Sequence, residues 1–118
     1  QIGSSGYGAQ IGSSGDDAQI GSSGYGARIG SSGDGAQIGS SGYGARINVE
    51  GKRSVAATVG HRGRISGVKG TWITLAEWKQ DDEGWYPACV RSAQIDGETL
   101  KEGVCYELRN GEFVEVDE

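Results

Sequence analysis

The sequence predicts an all-β fold: a parallel, two-sided β-solenoid with eighteen residues per coil, closed by a small antiparallel β cap at its C-terminal end. Three observations predict it. The phrase QIGSSGYGA returns as QIGSSGDDA, QIGSSGYGA, RIGSSGDGA and QIGSSGYGA over residues 1–45. Tyr and Asp alternate at the seventh position of successive phrases. Beyond residue 69 the phrase gives way to runs rich in aromatic and β-branched residues, separated by turn signals. Glycine makes up 23 of 118 residues and hydrophobic residues only 35%, which in an aperiodic chain would mean low complexity. Here the glycines are strictly periodic, so the repeat governs the reading.

Within each phrase, Ala-x-Ile reads as a short strand and Gly-Ser-Ser-Gly as a turn. Ala and Ile lie two apart and so point to one side of a strand, with the residue between them facing outward. Nine residues are too few for a helical pair, and the Gly and Ser density disfavours helix. A three-residue strand is unstable alone. Stacked in parallel at a spacing of ~4.8 Å, it pairs above and below and builds a continuous Ile core. The frame outlasts the literal phrase: Ile stands at 2, 11, 20, 29, 38, 47 and 65, with Ala at 56. Residues 1–69 are therefore read as the repeat array. Its glycines are expected at turns with positive φ, where a Cβ would be strained.

The Tyr/Asp alternation sets the coil at two phrases. Tyr7, Tyr25, Tyr43 and then His61 form one stacking column, and Asp16, Asp34 and Lys52 the opposite one. Outward strand positions sort likewise into Gln1, Gln19, Gln37 and Val55 on one face, and Gln10, Arg28, Arg46 and Arg64 on the other.

Residues 70–118 read as the cap. TWITLAEW and WYPACVRSAQI form two strands around the QDDEG loop, IDGETL carries an Asp-Gly turn, and CYELRNGEFVEV folds as a hairpin about Asn110-Gly111. Trp72, Trp78 and Trp85 all lie here and supply bulk that the thin array lacks.

Charge follows the same division. Residues 1–45 carry one Arg and three Asp, residues 46–69 six basic residues and one Glu, and residues 70–118 four basic and twelve acidic residues. The Arg28, Arg46 and Arg64 ladder, extended by Lys52, Arg53 and Arg62, is the candidate site for an anion, an acidic protein or nucleic acid. The acidic tail raises a rival reading, a charge-based module that imitates nucleic acid and inhibits a host defence protein. Catalytic and metal chemistry find no constellation. His61, the single histidine, falls in the aromatic column; Cys89 and Cys105 lack metal-ligand spacing and read as buried thiols. Calcium rolls need an acid in every repeat, and the Tyr phrases have none. GSSG lacks the Lys and the helix of a phosphate loop. No catalytic residue, metal or cofactor is expected, nor any span for a membrane.

The phrases SSGYGARI and SSGDGAQI, followed by VEGKRSVAATVGHRGRISGVKGTWITLAEW and YPACVRSAQIDGETLKEGVCYELRNGEFVEV, resemble the C-terminal half of Gly/Ser-rich repeat proteins encoded by phages and prophages of gut bacteria. The tail carries the more specific part of this likeness, which covers essentially the whole chain. It implies phage origin and a soluble β-solenoid, and brings no activity or catalytic residue with it. Phage-associated or host-cytoplasmic placement follows, or an extracellular one within a fibre. The chain opens on Gln in mid-phrase and is expected to be a piece of a longer one. Its first coil, with Gln1, Ile2, Tyr7 and Ala9, is expected to offer an open edge through which copies self-associate as a dimer or fibre. A structural or interaction protein, not an enzyme, is the expected class.

Overall fold

In a computed structural model, residues 8, 10–13, 15–22 and 24–116 are described in full and residues 2–4 as backbone. All regular structure among them is β. Twelve strands follow in order: β1 (Ile2–Ser4), β2 (Gln10–Ser13), β3 (Gln19–Ser22), β4 (Arg28–Ser31), β5 (Gln37–Ser40), β6 (Arg46–Val49), β7 (Val55–Thr58), β8 (Arg64–Ser66), β9 (Trp72–Asp81), β10 (Gly84–Gln94), β11 (Cys105–Arg109) and β12 (Glu112–Val116). The first eight alternate between two parallel stacks, so the chain winds as a two-sided β-solenoid of about four turns. Sheet I runs β1-β3-β5-β7-β9-β10, and sheet II runs β12-β11-β8-β6-β4-β2. No helix among the described residues is long and apolar enough to cross a membrane.

The register is eighteen residues per floor. Ile2 pairs with Ile20, Ile20 with Ile38 and Ile38 with Ala56 in sheet I; Ile11 pairs with Ile29, Ile29 with Ile47 and Ile47 with Ile65 in sheet II. Ala27, Ile29, Ala36, Ile38, Ala45 and Ile47 are all buried, as two-residue alternation requires. The strand differs from the expected Ala-x-Ile: it runs from the outward Gln or Arg through Ile and Gly to the first Ser. Ser22, Ser31 and Ser40 accordingly point inward beside the Ile side chains and are buried. The corner is then Gly-Tyr-Gly or Gly-Asp-Gly rather than Gly-Ser-Ser-Gly.

The glycines divide by job, which corrects the expectation that all serve positive φ. The second glycine of the corner does so, as at Gly26, Gly35 and Gly44; Asp17, Arg53 and Arg62 occupy the equivalent position with φ of 57°, 60° and 54°. The first does not. At Gly33 and Gly51 an added Cβ would collide with the backbone carbonyl of Gly15 and Gly33 on the floor below. Close floor-to-floor approach, not backbone freedom, excludes a side chain there.

The parallel winding continues past residue 69. β9 stacks on β7 with Val55 opposite Trp72 and Thr58 opposite Leu75, a step of seventeen residues, because Gly67–Thr71 makes a different corner. β9 then runs on as a hairpin with β10, carrying a bulge between Pro87 and Cys89. Asn110 and Gly111, both at positive φ, turn β11 into β12, and β11 meets β8 antiparallel with Tyr106 opposite Ile65. Ile95 and Leu100, in the segment between the hairpins, close the core over the last floor. The two hairpins are also tied together: the Glu77 carboxylate accepts the backbone N–H groups of Asn110 and Gly111.

Candidate functional site

The corner columns explain the alternation of Tyr and Asp. Tyr25 and Tyr43 stack with ring centroids 4.9 Å apart and planes 2° from parallel, and His61 continues the column at 5.6 Å. Each step also carries a backbone bond, Gly26 N–H to Tyr43 O and Gly44 N–H to His61 O. On the opposite edge the carboxylates hold the next floor: Asp16 accepts the N–H of Asp34, and Asp34 that of Lys52 at 2.9 Å. Aromatic faces join one edge and charge-assisted hydrogen bonds the other. Of the residues expected in the column and at the self-association edge, Gln1, Tyr7 and Ala9 lie outside the described residues, and Ile2 is described only as backbone.

Trp78 was not expected in that column. It stacks on His61 at 4.6 Å and donates its indole N–H to Val59 O at 2.8 Å; Trp85 meets His61 edge-on at 5.0 Å. The seventeen-residue step sets Trp78 above His61 and the projecting hairpin returns Trp85 to it, so the eighteen-residue period marks neither. Between this aromatic group and the second hairpin lies a cleft of about 280 Å³, lined on its polar side by Arg62, Glu77, Glu107 and Arg109. Its acids are already engaged: Glu77 by backbone N–H groups, and Glu107 by Arg109 at 3.3 Å and Arg64 at 3.5 Å.

The basic residues grouped together in the sequence stand on three surfaces. Lys52 and Arg53 lie on the Asp edge, Arg62 on the Tyr edge, and Arg28, Arg46 and Arg64 form a ladder on the outer face of sheet II. At strand spacing, two such cations repel by about 1 kcal/mol in a water-like medium. Arg64 is relieved of this by Glu107, which reaches it from the neighbouring β11; the two side chains are 26% and 13% exposed. Among the described residues, neither Arg28 nor Arg46 has a carboxylate within 4 Å. Beside the ladder runs a trough of about 590 Å³ whose floor is the column Gly12, Gly30, Asn48 and Ser66. A Cβ at Gly12 or Gly30 would meet nothing, so no side chain overhangs it on those floors. Ser66 donates to Asn48 at 2.9 Å, and the buried Cys105 closes the end near the cap. Glu50, on the far rim, accepts from Asn48 at 3.5 Å.

The thiols separate: Cys105 is buried in β11, as the sequence suggested, whereas Cys89 in β10 is half-buried. Among the described residues no three His, Cys, Asp or Glu side chains gather to hold a metal ion. Several acids of the cap serve local structure. Asp96 accepts the N–H groups of Glu98, Thr99 and Leu100, and Asp81 that of Glu83. No family model, no curated protein and no solved structure matches this chain.

Proposed function

We propose that the chain is a structural and interaction module, not an enzyme: a rigid solenoid whose repeat edge stacks on another coil of the same kind. In a sample of the 118-residue chain that coil belongs to a second copy. One observation carries the reading, the unlike treatment of strand edges at the two ends of the sheets. At the cap, β10 carries Pro87 and a bulge, and β12 carries Glu112 and Glu115, all devices that discourage a further strand. At the other end, β1 and β2 present Ile-Gly-Ser and Gln-Ile-Gly-Ser, the same residues that stack on one another throughout the array. Because only this end accepts strands, copies meet head to head. A two-fold axis then runs the facing strands antiparallel and closes the assembly at two, favouring the dimer over a fibre.

Sedimentation equilibrium tests the reading. The wild-type chain is expected to show the mass of two copies, dissociating on dilution. Gly3→Lys puts a charge on β1, the strand that pairs with β3 at Gly21, and should give a monomer with an unchanged far-UV spectrum. A wild-type chain that stays monomeric at the highest soluble concentration, or a dimer indifferent to Gly3→Lys, overturns it.

A further inference from the structure

We infer that the outer face of sheet II is a docking site for an acidic polypeptide segment, whose carboxylates bind Arg28 and Arg46. The inference stands apart from the head-to-head association, since it uses a sheet face and not a strand edge.

The top rung of the ladder shows what the rungs below accept. Arg64 sits in the same outward column, and a carboxylate from the adjacent strand β11 already holds it. That carboxylate comes from a polypeptide in extended conformation, at strand spacing. One and two floors lower, the half-buried Arg46 and the exposed Arg28 repeat the guanidinium without the carboxylate, beside a floor of glycine and amide groups from which no side chain at Gly12 or Gly30 overhangs them. A guanidinium fork matches a carboxylate in two parallel hydrogen bonds, and two forks a strand spacing apart hold a pair of acidic side chains or share one between them. Occupation also removes the mutual repulsion of the rungs.

The sequence bears out that these arginines are an addition to the coil. The phrase works equally well with Gln at the same position, as Gln10 in this column and Gln19 and Gln37 in sheet I show. The winding therefore does not need them. Nucleic acid is the weaker fit, because stacking bases need exposed aromatic faces beside the cations. On this molecule the exposed aromatic rings lie along the Tyr edge and on the hairpin of sheet I, Tyr106 and Phe113 of sheet II pack into the core, and none lines the trough.

The experiment uses the full chain and two fluorescent probes of equal charge, an oligoglutamate peptide and an oligothymidylate. Expected is binding of the peptide at low salt, tighter than the oligonucleotide, weakening as ionic strength rises toward physiological values. Arg28→Gln with Arg46→Gln restores the Gln ladder of the repeat and so keeps the fold, which circular dichroism verifies; it should weaken the peptide about ten-fold or more. Lys52→Gln with Arg53→Gln removes as much charge from the opposite edge and should change binding less than about two-fold. Equal losses in both double variants would mean a response to net charge alone and would overturn the site. So would absence of peptide binding, or preference for the oligonucleotide.

Discussion

Ser22, Ser31 and Ser40 face the interior of the lower floors, while Val49, Thr58 and Leu75 continue the same columns toward the cap. Two regions of one winding are thus held together differently. In the array, cohesion comes from ladders: backbone bonds at every floor, stacked rings on one edge, carboxylates on the other, and an interior that alternates Ile with hydroxyls. At the cap, Tyr106, Leu108, Ile95 and Leu100 fill the space between the sheets with large apolar groups. Periodic pairing with little bulk therefore suffices for a coil that has neighbours on both sides, and bulk is concentrated where the stack stops.

The comparison breaks most visibly in the two interiors. Tyr106 is 1% exposed and its hydroxyl oxygen accepts the Lys101 N–H at 2.7 Å. Tyr106→Ala should cost about 3–5 kcal/mol in urea unfolding followed by tryptophan fluorescence, whereas Ile20→Ala should cost about 2–3 kcal/mol, the low end for such truncations, since its neighbours are fewer and smaller. Equal costs would mean that the lower floors are packed as densely as the cap.

The next test sharpens how floors touch. Gly33→Ala drives a Cβ into the Gly15 carbonyl and should destabilise by about 1–3 kcal/mol. Gly30→Ala, with open space around it, should lie within about 0.5 kcal/mol of the parent, gaining from a stiffer unfolded chain what it loses in fit. Thermal midpoints of the two variants side by side check it. If Gly33→Ala is as mild as Gly30→Ala, contact between floors is looser than backbone on backbone.

A smaller effect separates the interiors by polarity. Ser31 Oγ is buried and has no hydrogen-bond partner among the described residues, and Val49 stands one floor above it in the same column. Ser31→Ala should raise stability by about 1 kcal/mol, since a desolvated hydroxyl without a partner is removed. A loss instead would mean that the hydroxyl is satisfied by water held inside the coil.

Legibility in the sequence follows the same division. The eighteen-residue floor is readable because like residues recur: Tyr above Tyr, Arg above Arg, Ile above Ile. The strand limits are not readable, because Gly in an extended strand paired with Gly looks, in one dimension, like Gly in a turn. The hairpin at Asn110-Gly111 is readable because two residues at positive φ leave a local signature. Trp78 on His61, Glu107 on Arg64 and Glu77 on the second turn are not readable. Trp78 falls one residue short of the repeat period above His61, because the β7-to-β9 step is seventeen, and the other two contacts join distant positions across unlike elements, where no period relates them. The candidate docking face is legible as a ladder; that its top rung is already filled depends on β11 meeting β8, which only the assembled fold supplies.

The smallest expected effect concerns the loop that bridges the two hairpins. The Asp96 carboxyl is held below its usual range, chiefly by the N–H of Glu98 and then by that of Leu100, against an opposing push from desolvation, with a lesser contribution from the Thr99 N–H. A carboxyl whose value is lowered on folding stabilises the fold at pH above the unfolded value, near 3.8, and that stabilisation is lost as the pH falls through the lower folded value. Asp96→Asn keeps an acceptor oxygen but no titrating charge. Wild type should therefore exceed Asp96→Asn in urea midpoint near neutrality, and the gap should narrow as acid is added below the ordinary carboxylate range. The group is fully exposed, so the gap will be modest and should shrink further in high salt. Residues in the array have no share in this bond. A gap that persists unchanged into acid would mean that Asp96 holds the loop by shape alone, and the cap would then owe its closure to Ile95 and Leu100 without help from charge.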